Sequence, residues 1–273
     1  MENLKQSLNW EIKLKEIQIP GKKGKNPIAL LRSDDDSLLS IRTERYHPVY
    51  NSDLMILKER VRRTRAFIFK GFQEFQNGKR ILAFFENHRE LKLCGQDVKD
   101  YLIIGNSNDA SSKFFIGTSN YMYRCENQFS AKIRTFERRH DVPFNPNLID
   151  IEELFISYEM GRRNLYQQME RMSHVRVDRT LPRRLALQLL DIHHSDHIEC
   201  IFPKNKQLDL LISCMENEMD ALGPTLWGVF NGVTRYTSNH LNGNPGFGIV
   251  NGLGEKMNRE AKSFLMKSIE NIL

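Results

Sequence analysis

The chain has 273 residues, a net charge of +6 and a pI near 9.1, with 40% hydrophobic and 27% charged residues. That is a globular composition, long enough to bury its own core, and it lacks the run of about 18 apolar residues that a membrane-spanning helix needs. Met1 to Trp10 has no apolar stretch of the kind a secretory signal carries, so a cytoplasmic location is expected.

The first segment alternates. Trp10, Ile12 and Leu14 interleave with Glu11, Lys13 and Lys15, which predicts a half-buried strand. A basic, breaker-rich loop follows at Pro20 to Lys25. Ile28–Arg32 and Leu38–Arg42 flank the turn cluster Ser33-Asp34-Asp35-Asp36 and read as a hairpin; adjacent aspartates do not converge on one ion, so the turn reads as solvated. Asn51 or Ser52 can cap a helix whose apolar stripe is Leu54, Leu57 and Val61. Two strands come next, Ala66 to Phe75 and Lys79 to Glu86, joined through Asn77-Gly78, a strong hairpin signal. Tyr101 to Ile104 and Lys113 to Arg124 complete a second pair around Asn106 to Asp109.

The second half turns helical. Asn127 to His140 reads as one helix, ended by Pro143 and Pro146. Asp150 can cap another from Ile151 past Gln168. Thr180-Leu181-Pro182 starts a third. Lys206 to Leu222 is a further helix with Gly223 beyond its end, and Leu226 to Leu241 and Glu255 to Leu273 close the chain. Strands first and helices later predict an α+β fold. Antiparallel hairpins occupy the N-terminal half, and helices packed on them form most of the C-terminal half. The expectation is a single domain over 1–273, with 1–126 mainly strands plus one basic helix and 127–273 mainly helical.

Positive charge concentrates at Lys58, Arg60, Arg62, Arg63, Arg65, Lys70, Lys79 and Arg80, beside strands carrying Phe67, Phe69, Phe72, Phe75, Phe84 and Phe85. Cations neutralise phosphates and aromatic faces accept unstacked bases, which is how strand-binding proteins work. For any single phenylalanine, the core is the commoner place. The helical cations repel one another, and a polyanion relieves that repulsion. A second run is Lys132, Arg134, Arg138 and Arg139 with His140. A third, Arg162, Arg163, Arg171, Arg176, Arg179, Arg183 and Arg184, is mixed with acids and suits a solvated or inter-subunit surface equally well.

Other constellations are weaker. His193, His197 and Cys200 fall at i, i+4, i+7, spacing that suits zinc, yet no fourth ligand is evident and a polar helix end explains them better. Gly243 to Gly248 lacks the Lys-Ser/Thr of a phosphate-binding loop and reads as a connection. Trp227, Asn231 and Thr234 share a helix face, as a buried and satisfied polar pair would. Cys94, Cys125, Cys200 and Cys214 are widely spaced without a CxxC pair, so reduced thiols are expected. No catalytic, metal or cofactor residue is predicted.

Several segments carry a family resemblance. Arg32-Ser33-Asp34 with Leu38 to Ile41 resembles an "RSD…L" hairpin. Arg45-Tyr46-His47-Pro48-Val49-Tyr50-Asn51 resembles "RYxPVxN". Ser107 to Ser111 resembles an "HDGS" turn, with Asn108 in place of its His and Ala110 in place of its Gly. Tyr123 to Asn127 resembles "RVVCxN", and Thr225 to Thr234 resembles "AWGxxNAVT". Gly252 to Ala261 resembles the family's ending. In this order the segments resemble the phage/plasmid-like family termed domain of unknown function 932. That resemblance implies a phage, plasmid or integrative-element setting and no settled activity.

Charge, aromatics and that setting together predict a non-enzymatic nucleic-acid-binding protein of a mobile element. It would hold or anneal single-stranded DNA in recombination or replication, as a homo-oligomer and away from membranes. The competing expectations are a structural or host-defence-interacting protein with no nucleic-acid role, and a metal-dependent nuclease.

Overall fold

The computed structural model describes residues 4–20, 25–89, 91–94, 96–122, 128–129, 134–192, 205–241 and 252–270. The predicted α+β class is what the chain adopts, with antiparallel sheets first and helices after them. A three-stranded sheet is formed by β1 (Ile12–Glu16), β2 (Ile28–Arg32) and β3 (Leu38–Arg42), in that order. A larger sheet runs β10-β8-β7-β5-β4, with β6 paired to β7 and β9 paired to β8. Its strands are β4 (Phe67–Phe75), β5 (Arg80–Asn87), β6 (Leu91–Leu93), β7 (Gln96–Ser107), β8 (Phe114–Met122), β9 (Gln128–Phe129) and β10 (Arg134–Arg138). The helices among the described residues are α1 (Asn51–Arg63), α2 (Ile151–His174), α3 (Leu181–Leu189), α4 (Lys206–Leu222), α5 (Leu226–Asn239) and α6 (Leu253–Glu270), with a short 3-10 turn at Pro146–Leu148.

Contacts divide the chain into two compact units that interleave in sequence. The first holds 1–89, 100–118 and 133–160; the second holds 90–99, 119–132 and 161–273. Strands β7 and β8 and helix α2 each pass from one unit into the other.

In the first unit, the predicted stripe Leu54, Leu57 and Val61 is buried, together with Phe67, Phe72, Phe85, Leu102, Ile104, Phe114 and Ile116. Helix α1 starts as read, but its cap differs. Tyr50 occupies the N-cap, and the first N–H groups of the helix, those of Asn51 and Ser52, donate to the Glu11 carboxylate at 2.8 and 2.9 Å. The acceptor thus comes from a distant segment, which local sequence does not disclose. The Asn77-Gly78 hairpin forms with Gln76, Asn77 and Gly78 all at positive φ.

One predicted element is wrong. Asn127 to His140 is not a helix: Gln128–Phe129 and Arg134–Arg138 are strands paired to β8. The alternation in Arg134-Thr135-Phe136-Glu137-Arg138 fits a strand, and Phe136 meets Phe114 edge-to-face at 6.0 Å in the core. Cross-strand packing overrides the helical tendency of this charged stretch.

In the second unit, α4 and α5 approach closely. Gly228 and Gly232 of α5 sit where a Cβ would overlap the α4 backbone around Met219 and Met215. Thr237 of α5 donates to Asn258 Oδ1 of α6 at 3.0 Å, so a buried hydrogen bond joins the next pair.

Candidate nucleic-acid interface

The predicted cations do not form one patch. Lys58 is mostly buried: its Nζ lies 5.0 Å from the Phe69 ring centroid, donates to the Gln6 carbonyl at 3.3 Å and sits 3.5 Å from Glu59. Arg60 is structural. Its two terminal nitrogens donate to the carbonyls of Pro146 and Ile149, tying the 3-10 turn to α1. Arg62 pairs with Glu59 at 3.1 Å and stays half exposed. Arg63 and Arg65 are exposed and have no ion-pair or hydrogen-bond partner for their side chains among the described residues. Cations at a helix C-terminus also complement its dipole, a structural reason for Arg60, Arg62 and Arg63. Arg65 lies beyond the helix at φ +58°, a left-handed conformation that glycine adopts more cheaply.

Lys79, Arg80, Arg138 and Arg139 lie at the other end of the sheet. Arg80 pairs across to Ser107, Arg138 pairs across to Phe114, and the β7–β8 turn joins those two partners. Nine-residue β4 separates the α1 end from the Lys79 end by roughly 25 Å of strand. Arg80 is 3.3 Å from Asp109, and Arg138 donates to the Pro143 carbonyl at 3.1 Å. Lys79 and Arg139 have no side-chain ion pair or hydrogen bond among the described residues, and Lys70 pairs with Glu86 at 3.2 Å. Lys132 and the Arg134 side chain lie outside the described residues. Arg42 and Arg45 join this second end, since His47 N–H donates to the His140 carbonyl at 2.7 Å and Arg42 donates to the Asp109 carbonyl. Sequence reading missed these two because the strand-to-helix connection carrying them is far from the other cations in the chain.

The aromatic part of the expectation falls to packing. Phe67, Phe72, Phe75, Phe84 and Phe85 are buried, and Phe69 packs on the core between Phe72 and Phe85. Among the described residues, no phenylalanine, tyrosine or tryptophan is exposed.

The family-like segments converge on joints between turns. Arg32 donates to Asp34 at 2.7 and 3.0 Å, to Glu74 at 2.9 Å and to the Asn77 carbonyl at 3.3 Å, with its guanidinium 4.1 Å from the Trp10 ring. Those carboxylates hold its charge well above the ordinary guanidinium range for proton loss. Asn108 is fully buried. It donates to the Gly78 carbonyl at 2.8 Å, accepts from Asn106 at 2.9 Å, and its carbonyl accepts from Ser40 at 2.7 Å. Asn108 is therefore a structural joint. Nearby, Tyr46 donates to the Ser107 carbonyl at 3.0 Å and stacks on His140 with centroids 4.9 Å apart. Burial lowers the His140 pKa against the raising effect of carbonyl contacts, and its Nε2 is buried without a partner among the described residues.

A groove of about 680 Å³ opens beside the free arginines. Its walls are Arg60, Arg63 and Thr64 from the end of α1, and residues 147–152 from the 3-10 turn and the start of α2. Asp150 caps α2, its Oδ1 accepting from the N–H groups of Glu152 and Glu153 at 2.9 and 3.0 Å.

Of the third basic run, Arg162 is buried, with its guanidinium 5.7 Å from the Tyr166 ring centroid, and Arg179 pairs with Asp220 at 3.2 Å. The His193–Cys200 segment and the Gly243–Gly248 loop lie outside the described residues. Among the described residues, no group of three or more His, Cys, Asp and Glu side chains is placed to hold a metal, and no helix is long and apolar enough to cross a membrane. Cys94 and Cys214 are free thiols. Asn231 and Thr234 are buried, as expected, and bond back along α5 to the carbonyls of Trp227 and Asn231.

The chain is thus an α+β protein built from two interleaved units, with motif residues that lock turns together. It belongs to the family described as "Domain of unknown function (DUF932)", whose model matches residues 38–266. No curated protein and no solved structure matches the chain.

Proposed function

We propose that this protein binds nucleic acid through its phosphate backbone, with single-stranded DNA as the favoured ligand and the end of α1 as the principal contact. The observation that carries this reading is Arg65. A long cation occupies a left-handed position where glycine would cost less, and it stands exposed beside Arg62 and Arg63. Backbone strain that glycine would relieve is the kind of cost a functional contact justifies. The cations at the far end of the sheet, Arg45, Lys79 and Arg139, supply a second contact set. A role in recombination or replication of a mobile element, in the cytoplasm of its host and as a homo-oligomer along a strand, fits this chemistry.

The test is binding of single- and double-stranded oligonucleotides across a salt series. Affinity should fall steeply as salt rises, because each neutralised phosphate releases condensed counterions. Removing Arg62, Arg63 and Arg65 together should flatten the slope by about one per lost phosphate contact. No binding at low salt removes the reading. It would leave the protein-binding alternative, for which exposed Ile156 and Met160 on α2 are the natural contacts.

A further inference from the structure

We infer that the groove between the end of α1 and the start of α2 is a nucleotide-base site, taking one unstacked base of the strand held by Arg62, Arg63 and Arg65. This inference rests on the nucleic-acid reading and gives it a substrate class.

Three features of the groove point to this ligand. The first is Leu148, which is 76% exposed at the end of the 3-10 turn. An open leucine is ordinary on a loose loop, but this turn is fixed. Arg60 grips the carbonyls on both sides of it, and Asn145 caps it by accepting from Asn147 N–H at 3.0 Å. A rigid apolar platform is thereby held facing the groove's opening, with Ile151 on the same wall. The second is charge arrangement. Arg63 lines the groove and belongs to the free arginine cluster, so a phosphate on that cluster places its own base at the groove. The opposite wall carries Asn147, Asp150 and Glu152. Carboxylates repel phosphate but accept hydrogen bonds from the exocyclic amines of cytosine and adenine. The third is size. The open depression of about 680 Å³ has room for a base and its sugar.

The two α1 arginines therefore have different tasks. Arg60 builds the platform and Arg63 meets the strand. Bases in a duplex are stacked and cannot enter, so a base site gives preference for single strands without an exposed aromatic.

The experiment compares fluorescently labelled oligo-dC, oligo-dT and an abasic strand of equal length against the full chain at one salt concentration. Three results are expected. The abasic strand binds about five- to tenfold more weakly than oligo-dC. Leu148→Ala removes most of that difference and leaves the salt slope unchanged, since it deletes no charge. Glu152→Gln reduces the preference for dC over dT. Arg63→Ala serves as the contrast, lowering affinity for all three strands and flattening the slope. If the abasic strand binds as tightly as oligo-dC with a steep salt slope, the base site is overturned and backbone binding stands. If none of the strands binds at low salt, both fall. Circular dichroism of Leu148→Ala checks the fold; because Leu148 is exposed, its melting temperature should match the parent.

Discussion

Arginine in the left-handed backbone region costs roughly 1 kcal/mol relative to glycine. Arg65 is therefore a residue where stability and binding should separate. Arg65→Gly should raise unfolding stability by about that amount while weakening oligonucleotide binding, a combination that misfolding cannot produce. Denaturant titration and a binding isotherm on the same preparation check it. Asn108 makes the opposite case. Its side chain bonds both the Gly78 carbonyl and Asn106. Asn108→Ala should cost about 2–4 kcal/mol by leaving buried groups unpaired, measured as a shift in denaturant midpoint. His140 sets a pH dependence. Its pKa in the fold is lowered, chiefly by burial, from the ordinary 6.5. The unfolded chain binds the proton more readily, so stability is full above about pH 6.5 and declines as pH falls toward the lowered value. Asp109 is also lowered, because hydrogen bonds from Ser107 and Ser111 outweigh its burial, but its loss begins only below about 3.8. His140→Gln should therefore flatten the decline that sets in below about pH 6.5 and leave the steeper acid limb.

Close packing at the level of helices follows from two glycines spaced by four on α5. A Cβ at Gly232 would overlap the backbone of Met215. Alanine there gains about 1 kcal/mol of helix propensity, but overpacking against backbone costs about 2–3 kcal/mol. Net destabilisation is expected, read as a lower melting temperature. Helix α5 was legible because caps and stripes are local: Thr225 caps it, its side chain accepting from Gly228 N–H at 3.3 Å. The hairpins were legible for the same reason, their turns being written in Asn77-Gly78 and Asp34 to Asp36. Strand β10 was not. Its identity depends on β8 lying alongside, and a short charged stretch with one central phenylalanine suits either state until a partner decides. Helix α1 shows a milder version, since its stripe is local while its capping carboxylate, Glu11, is 40 residues away in sequence.

Across the whole molecule, charge was easy to count and hard to place. The run from Lys58 to Arg80 is continuous in sequence, but β4 carries its ends to opposite ends of a sheet, and Arg60 and Lys58 are occupied by carbonyls and a ring. Only folding reveals that Arg42 and Arg45 stand with Arg138 and Arg139, or that an exposed Leu148 is pinned beside Arg63. The third strand-binding ingredient, aromatic faces, was absorbed by the core because alternating phenylalanines are also what a buried sheet needs. Self-assembly along a strand belongs to this scale too. Light scattering with and without single-stranded DNA should report a mass increase well beyond one bound chain.

The family's matched region opens at residue 38, on β3. A fragment trimmed to those limits discards Trp10, Glu11 and Arg32: the ring under a buried guanidinium, the acceptor for a helix start, and the clamp between two turn tips. Nor does one cut elsewhere yield an autonomous half, because each unit is threaded through the other's sequence and severing the polypeptide at residue 160 leaves β6 and β9 stranded from the helices they belong with. Domain dissection, the usual route to a minimal active piece, is closed for this architecture; activity must be sought in the uncut polypeptide and dissected by side chain.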